Sequence, residues 1–251
     1  MASENRIVVV GSGASGMMAA GRAAELGARV LLIEKTNSPG QKILISGKTR
    51  CNLTNTRDID DFIAQFGDNG RFLYGAFHRF FRDDLLALME RYGVPTKAER
   101  GGRVFPASDD AGDVVRALEK YMAAGGVEVR TGARVTGIVV ENGRATSVRT
   151  DQGTYRAKAV VLATGGASYS DTGSTGDGYR MAAALGHTIV KLRPALVPLV
   201  VEEIERAKSM QGVSLRNVRL TAFQCPAGEI DPSLTPKVDV GRGLRGKKPR
   251  P

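Results

Sequence analysis

The sequence predicts an α/β fold in which parallel strands alternate with helices, and three observations near the N-terminus predict it. An apolar run at residues 7–10 is followed by a glycine-rich turn, Gly11–Gly16, and by an alanine-rich stretch that ends at Gly27. A second apolar run at residues 30–33 ends in Glu34. The order strand, glycine turn, helix, strand and acid, within about thirty residues, is that of a dinucleotide-binding βαβ unit.

Each motif residue in this unit has a physical role in holding a dinucleotide. Gly11 permits the tight turn, Gly13 lets a diphosphate approach the backbone, and Gly16 lets the helix pack closely on the strand. The N–H groups and the partial positive charge at the helix N-terminus attract the diphosphate. Glu34 can accept hydrogen bonds from ribose hydroxyls and would repel a 2′-phosphate, so the motif favours FAD or NAD over NADP at this site.

Composition limits the function classes. The 251 residues are 42% hydrophobic and 25% charged, which is typical of a globular protein with one or two domains. No apolar run approaches the length of a membrane span, and the N-terminus lacks the charged and apolar regions of a signal peptide. We therefore expect a cytoplasmic protein that does not enter a membrane.

The net charge of +10 is unevenly distributed. Residues 237–251 contain six Lys or Arg and one Asp, a net +5, in a Gly- and Pro-rich stretch without periodicity, which predicts a disordered basic tail. Because the remaining excess is ordinary for the rest of the chain, nucleic acid is not an expected partner. Cys51 and Cys225 match no metal-ligand spacing and no dithiol pair, so no metal is expected, and Cys51 is interpreted as a packed side chain beside the cofactor.

The rest of the chain is predicted element by element. Residues 35–40 form a turn-rich loop, and residues 41–55 form a segment rich in hydrogen-bond donors that is too irregular for a helix or a clean strand. Residues 58–93 have helical apolar spacing. Asp109 or Asp110 caps a helix that runs to Gly125. Strands are predicted at 94–99, 103–105, 127–129, 133–140, 145–149, 153–156 and 159–163, a helix at 179–185, and strands of a different module at 196–201 and 218–223.

Four segments give the chain a family resemblance. They are Gly11–Gly16, residues 40–55 with the block Ser46-Gly47-Lys48-Thr49-Arg50-Cys51-Asn52-Leu53-Thr54-Asn55, residues 162–179, and residues 186–199. The chain resembles, over residues 5 to about 225, a bacterial family of FAD-binding flavoproteins that includes aminoacetone oxidases and bile-acid-pathway reductases. More distantly, residues 163–166 and 175–179 are similar to flavoprotein subunits of fumarate reductase. Lys48 and Thr49 replace two glycines that family members commonly have, which implies a stiffer and more basic loop.

The resemblance implies FAD as the cofactor and a Rossmann-like fold of the three-layer ββα type. It implies that Glu34 holds the adenosine ribose, that Ala14 and Ser15 lie at the diphosphate, and that Val135 meets the adenine through its backbone. It also implies that Lys42, Gly47, Arg50 and Asn52 line the flavin side. With the glycine motif, the predicted cofactor site comprises Gly11, Gly13, Ala14, Ser15, Gly16, Glu34, Lys35, Gln41, Lys42, Gly47, Arg50, Asn52, Val135, Thr164 and Gly165.

The predicted domains are a FAD-binding domain at 1–195, the beginning of an inserted β-rich domain at 196–236 and the tail at 237–251. Family members are longer and end in a segment that closes over the flavin, so the resemblance implies a C-terminally truncated chain. The predicted function is a FAD-dependent oxidoreductase that transfers hydride between the flavin and a small organic substrate or NAD(P)H. Two alternatives stay open: a noncatalytic nucleotide-binding remnant and an NAD-dependent dehydrogenase. The sequence indicates no catalytic acid or base.

Overall fold

The computed structural model describes residues 6–194 and 203–213, and the chain divides into two compact units, residues 1–191 and 192–251. The strands of the first unit are β1 Arg6–Val10, β2 Arg29–Ile33, β3 Thr54–Asn55, β4 Thr96–Ala98, β5 Arg103–Pro106, β6 Glu128–Arg130, β7 Val135–Glu141, β8 Arg144–Thr150, β9 Gly153–Arg156 and β10 Ala159–Leu162. Its helices are α1 Ala14–Glu25, α2 Gln41–Ile45, α3 Ile59–Ala64, α4 Tyr74–Phe77, α5 Arg82–Arg91, α6 Ala111–Ala124 and α7 Asp177–Ala184. In the second unit, α8 spans Ile204–Ser209.

The domain boundaries predicted from the sequence stay predictions. The strands expected at 196–201 and 218–223, the basic tail and Cys225 lie outside the described residues.

A four-stranded parallel sheet in the order β10-β1-β2-β6 forms the centre of the first unit. Because all four strands point the same way, their carboxyl ends meet at one edge, where ligands bind in open α/β sheets. A second sheet, β7-β8-β9, is antiparallel, and its first two strands meet at the Asn142-Gly143 turn.

Alternate residues of the central strands face two different layers. Val9 and Leu32 pack against α1 and α6. Val8, Val10, Leu31 and Ile33 pack against the antiparallel sheet. Both sets are nearly completely buried, which explains why β1 and β2 read as continuous apolar runs. The predicted α/β fold with three layers is therefore confirmed.

Close contact between α1 and α6 fixes the helical layer. A Cβ atom added to Gly21 would lie 2.4 Å from the ring of Tyr121, and one added to Gly125 would lie 2.6 Å from the Cβ of Ala24. The hydroxyl of Tyr121 donates to Oε2 of Glu25 at 3.0 Å. Burial, followed by this hydrogen bond, raises the pKa of Tyr121 to about 12, so the phenol stays protonated and the contact persists across the physiological pH range.

The prediction that residues 41–55 are too irregular for a helix was wrong for the first five of them. Residues 41–45 form helix α2, which begins after Gly40 in a left-handed conformation, with φ of +75°. Ile43 is buried in the core beneath the helix, and the Cβ of a residue larger than glycine at position 40 would lie 2.7 Å from Val115 of α6. Tertiary packing on α6 thus stabilises a helix too short to form on local propensity. Within the described residues, no helix combines the length and apolar character needed to cross a lipid bilayer.

Candidate functional site

A cavity of about 550 Å³ opens where the carboxyl ends of β1, β2 and β10 meet. It is lined by the glycine turn after β1, by residues 33–36 after β2 and by residues 163–166 after β10. Its volume is in the range of about 300–1,000 Å³ that small-molecule and cofactor sites occupy. The sheet thus places three predicted motifs around one cavity.

The glycine turn has the geometry that a diphosphate requires. Gly11 has φ of +100°, and a Cβ atom there would lie 2.6 Å from the carbonyl oxygen of Ala163. A Cβ atom on Gly16 would lie 1.9 Å from the carbonyl oxygen of Gly11, so only glycine lets α1 approach β1. Among the described residues, no atom lies within 4 Å of a Cβ position built on Gly13, and the open face of Gly13 lines the cavity. Helix α1 has no side-chain cap and no acidic residue in its first turn, which leaves its N-terminal N–H groups available for an anion.

Glu34 lies at the mouth of this turn. Its Oε2 accepts hydrogen bonds from the N–H (2.8 Å) and the hydroxyl (2.7 Å) of Ser12. Its Oε1 accepts from the N–H (2.8 Å) and the hydroxyl (2.9 Å) of Thr36. These four donors match the roughly four acceptor positions of a carboxylate, so the side chain is held in one orientation. Two of the four are side-chain hydroxyls, which a ligand hydroxyl can replace without disturbing the backbone.

A second carboxylate, Asp177 at the start of α7, joins three segments of the cavity wall. It accepts from Nζ of Lys35 at 2.6 Å, from Arg134 at 3.1 Å and from Arg180. Burial opposes the charge of Asp177, but the hydrogen bonds from Lys35 and Arg134 outweigh it and lower the pKa to about 2. The nearby Thr175 also accepts from Lys35 at 2.7 Å, so the cluster fixes the 164–176 loop against the end of β2.

The 41–53 segment forms the opposite wall. Lys42 lines the cavity and donates through Nζ to the carbonyl oxygen of Ser168 at 2.8 Å, which links α2 to the 164–176 loop. Cys51 is buried beside the cavity, and burial raises the pKa of its thiol, so the side chain is a poor nucleophile. The amide of Asn52 is oriented so that it donates to the carbonyl oxygens of Val104 and Thr54. The two residues form a fixed, largely uncharged surface.

Most of the site residues predicted from the sequence surround this one cavity. Those that line it are Gly11, Gly13, Ala14, Ser15, Glu34, Lys35, Gln41, Lys42, Asn52, Val135, Thr164 and Gly165. Gly16, Gly47 and Arg50 do not line it. Gly16 acts through helix packing, as described above, and Gly47 has φ of +56° in the turn that leads to Asn52.

The side chain of Arg50 does not line the cavity but belongs to a network of ion pairs. It donates to Glu99 and, through Nε at 2.9 Å, to Asp109, and its guanidinium lies 4.2 Å from the centre of the Phe105 ring. Asp109 also pairs with Lys97 at 2.6 Å. In this conformation Arg50 ties the 46–53 segment to the small sheet β3-β5-β4.

The sequence did not predict the residues that hold the carboxylates of Glu34 and Asp177 in place. Ser12 and Thr36 orient Glu34, while Arg134 and Arg180 converge on Asp177. A signal existed for Ser12 and Thr36, because each is adjacent to a predicted site residue. None existed for Arg134, which lies 43 positions from Asp177.

The residues present fit a dinucleotide. The open face of Gly13 and the uncapped start of α1 suit a diphosphate, and the fixed Glu34 suits a ribose. The described donors and acceptors are therefore those that FAD requires at its adenosine and diphosphate portions.

Comparison with known proteins identifies the family to which the chain belongs. The family model described as HI0933-like protein Rossmann domain matches residues 5–227. The 3-dehydro-bile acid delta(4,6)-reductase of Clostridium scindens is 36% identical over 207 residues, which cover 82% of this chain and 50% of that protein. The ribosomal RNA dihydrouridine synthase of Escherichia coli is 30% identical over 215 residues, or 84% of this chain and 52% of that protein. The chain thus spans about half the length of these curated relatives.

A solved structure shares the fold. The open conformation of a flavocytochrome c3 fumarate reductase matches with a TM-score of 0.53 and 23% identity, over 72% of this chain and 40% of that chain. The resemblance to FAD-binding flavoproteins, and with it the prediction of FAD as the cofactor, is confirmed. The chain belongs to the HI0933-like family of Rossmann domain proteins.

Proposed function

We propose that the chain is a FAD-dependent oxidoreductase that reduces a carbon–carbon double bond conjugated with a carbonyl group. The observation that carries this proposal is a cavity lined both by the dinucleotide cradle and by apolar side chains of α1, α2, α5 and α6. A site of this kind holds a cofactor and a second, apolar reactant side by side.

The cofactor would be held by the residues already described. Gly13, Ala14 and Ser15 would bind the diphosphate, and Glu34 would bind the ribose by exchanging the hydroxyls of Ser12 and Thr36 for ribose hydroxyls. The backbone of Val135 would meet the adenine. Lys42 and Asn52 would lie on the flavin side.

Bound FAD supplies hydride transfer at flavin N5. The chain supplies position and electrostatics. Lys42, the cationic side chain on the α2 wall, would favour an anionic form of the cofactor, and the buried wall at Cys51 would exclude water from the reacting atoms.

The type of reaction is supported by the names of two relatives. A delta(4,6)-reductase of a 3-dehydro bile acid and a synthase of dihydrouridine both act, by their names, on double bonds next to a ring carbonyl. In such a reduction a hydride adds to the β-carbon, a proton adds to the α-carbon, and the electron pair comes from NAD(P)H. The two alternatives, a noncatalytic nucleotide-binding protein and an NAD-dependent dehydrogenase, would carry out no such step on a flavin.

One observation favours a second substrate for the same chemistry. The relative that is 30% identical is named for ribosomal RNA, and this chain has a net charge of +10. Uridine within RNA is therefore the second candidate, although half of the excess charge lies in residues 237–251.

Anaerobic spectroscopy tests the proposed function. The purified chain should be yellow, NADH or NADPH should bleach the flavin, and 2-cyclohexen-1-one should restore the colour as it is reduced. Asp171→Asn is a matched control outside the cavity and should behave as the unaltered chain does. A colourless protein that binds NAD but not FAD would favour the dehydrogenase, and a flavin that no enone reoxidises would refute the proposed reaction.

A further inference from the structure

Two cationic residues lie beside Glu34, the carboxylate proposed to bind the ribose. Lys35 directly follows Glu34, and both residues line the cavity. Arg134 also lines the cavity, and its segment runs alongside residues 34–36, because the N–H of Ala133 donates to the carbonyl oxygen of Glu34 at 3.0 Å. The wall around Glu34 therefore contains the positive charge that a phosphate group attracts.

Asp177 engages both of these cations. Its Oδ2 accepts from Nζ of Lys35 at 2.6 Å, and its Oδ1 accepts from Arg134 at 3.1 Å. The Asp177 side chain is only 10% exposed. Burial opposes its charge, but the hydrogen bonds from Lys35 and Arg134 keep its pKa at about 2, so the carboxylate is ionised at neutral pH. Asp177 thus neutralises positive charge on the ribose side of the cavity.

Lys35 is also held by the 164–176 loop. Its Nζ donates to Oγ1 of Thr175 at 2.7 Å, so two of its three N–H donors are used within this cluster. A Cβ atom on Gly173 would lie 3.1 Å from Cγ2 of Thr36 and 3.4 Å from Cε of Lys35, which shows how closely the loop packs on residues 35–36. The ammonium group is therefore directed to the loop and not to a ligand at Glu34.

We propose that Asp177 is a positioning residue for cofactor specificity: by holding Lys35 and Arg134, it closes the ribose site to nucleotides that carry a 2′-phosphate. Glu34 repels such a phosphate, but two free cations beside Glu34 would offset that repulsion. Asp177 removes this compensation. The inference rests on the proposed ribose position at Glu34 and goes beyond the proposed reaction, because it does not depend on the substrate that the flavin reduces.

Competition with FAD tests the proposal on the full chain. ADP and 2′-phospho-ADP differ only in the 2′-phosphate, and flavin fluorescence gives the concentration of each that halves FAD binding. The unaltered chain should bind 2′-phospho-ADP at least about tenfold more weakly than ADP. In Asp177→Asn this difference should fall to about threefold or less, because Lys35 and Arg134 become available to the phosphate. Adding Lys35→Gln to Asp177→Asn should restore most of it.

Two variants serve as controls. Asp171→Asn removes the same charge from the same loop, outside the cavity, and Arg180→Gln removes a partner of Asp177 that does not line the cavity. Both should keep the selectivity of the unaltered chain. Equal selectivity in Asp177→Asn and the unaltered chain would overturn the proposal, because Glu34 alone would then exclude the 2′-phosphate. Failure of ADP to compete with FAD would also overturn it, because the cavity would not hold the adenosine.

Lys35→Gln in the otherwise unaltered chain keeps the test informative if Asp177→Asn fails to fold, as circular dichroism would show. Loss of the ammonium group leaves the charge of Asp177 less compensated beside the ribose. The affinity for 2′-phospho-ADP should then fall by a further factor of about three, while the affinity for ADP changes by no more than about twofold. An unchanged or smaller difference between the two nucleotides would overturn the proposal. Failure of the proposed reaction has a different signature, since a flavin that no enone reoxidises would leave these affinities as expected.

Discussion

The glycine turn at 11–16 and the turn at 46–51 both bend the backbone sharply beside the cavity, but they do so with different residues. In the first turn Gly11 takes the positive φ, and Gly16 lies where a Cβ atom would clash with the carbonyl oxygen of Gly11. Gly13 presents an open face to the cavity. In the second turn Lys48 (φ +59°), Thr49 (φ +66°) and Cys51 (φ +59°) adopt the left-handed conformation that glycine tolerates best. The first turn matches its sequence to its geometry, whereas the second stores strain of about 1–2 kcal/mol at each of these residues.

The largest loss of stability should come from placing a side chain at Gly16 in the 11–16 turn. Gly16→Ala puts a Cβ atom 1.9 Å from the carbonyl oxygen of Gly11, so α1 must move away from β1. We expect the free energy of unfolding in urea to fall by about 3 kcal/mol or more.

Gly13→Ala is the matched substitution, because no atom of the part of the chain that the structure describes lies within 4 Å of its Cβ position. Its unfolding free energy should change by no more than about 1 kcal/mol, while its affinity for FAD, followed by flavin retention, falls at least about tenfold. Equal stability of the two variants would mean that the turn does not need close helix–strand packing.

The next largest loss of stability should come from replacing Asp177, which holds the 164–176 loop in place. Asp177→Asn removes the charge that Lys35, Arg134 and Arg180 share, and we expect a loss of about 2 kcal/mol at neutral pH. Because the pKa of Asp177 is about 2 in the folded chain and about 4 when unfolded, the stabilisation is complete above about pH 5 and disappears as the pH falls toward 2.

Urea titrations of both proteins between neutral and acid pH check this prediction. The stability difference between the unaltered chain and Asp177→Asn should shrink on acidification, whereas Asp171→Asn in the same loop should show little difference at any pH. A difference that is independent of pH would assign the effect of Asp177 to packing rather than to its charge.

The sequence predicted the parts of the fold that local pattern determines. The β1–α1–β2 unit with Glu34 and the α6 helix capped by Asp110 follow from apolar periodicity, glycine placement and a capping side chain. Helix α2 was not predicted, because its stability comes from packing on α6 rather than from its own five residues. The Asp177 cluster joins residues up to 142 positions apart, and no local signal encodes such a contact.

A smaller change in stability should come from relieving the strain in the 46–51 turn. Lys48→Gly and Thr49→Gly should each raise the free energy of unfolding by about 1 kcal/mol, because glycine relieves the strain of positive φ at both positions. Lys48→Ala is the control, since it removes the charge but keeps the Cβ atom and should not stabilise the chain. If both glycine variants were less stable than the unaltered chain, the left-handed conformation would be absent in solution.

The smallest effect distinguishes between two roles for Arg50, which lies within the strained 46–51 turn. The family resemblance implied that Arg50 lines the flavin side, where its positive charge would stabilise the reduced flavin. In the structure its guanidinium instead pairs with Glu99 and Asp109 and stacks on Phe105. We expect Arg50→Gln to lower the unfolding free energy only slightly, because its ion pairs are exposed to solvent, and to leave the flavin reduction potential unchanged. Lys42→Gln is the comparison, because Lys42 lines the cavity, and it should make the potential more negative by on the order of 30 mV through loss of a cation near the reduced flavin. A shifted potential in Arg50→Gln with none in Lys42→Gln would return the electrostatic role to Arg50 and would require its side chain to leave Asp109 when FAD binds.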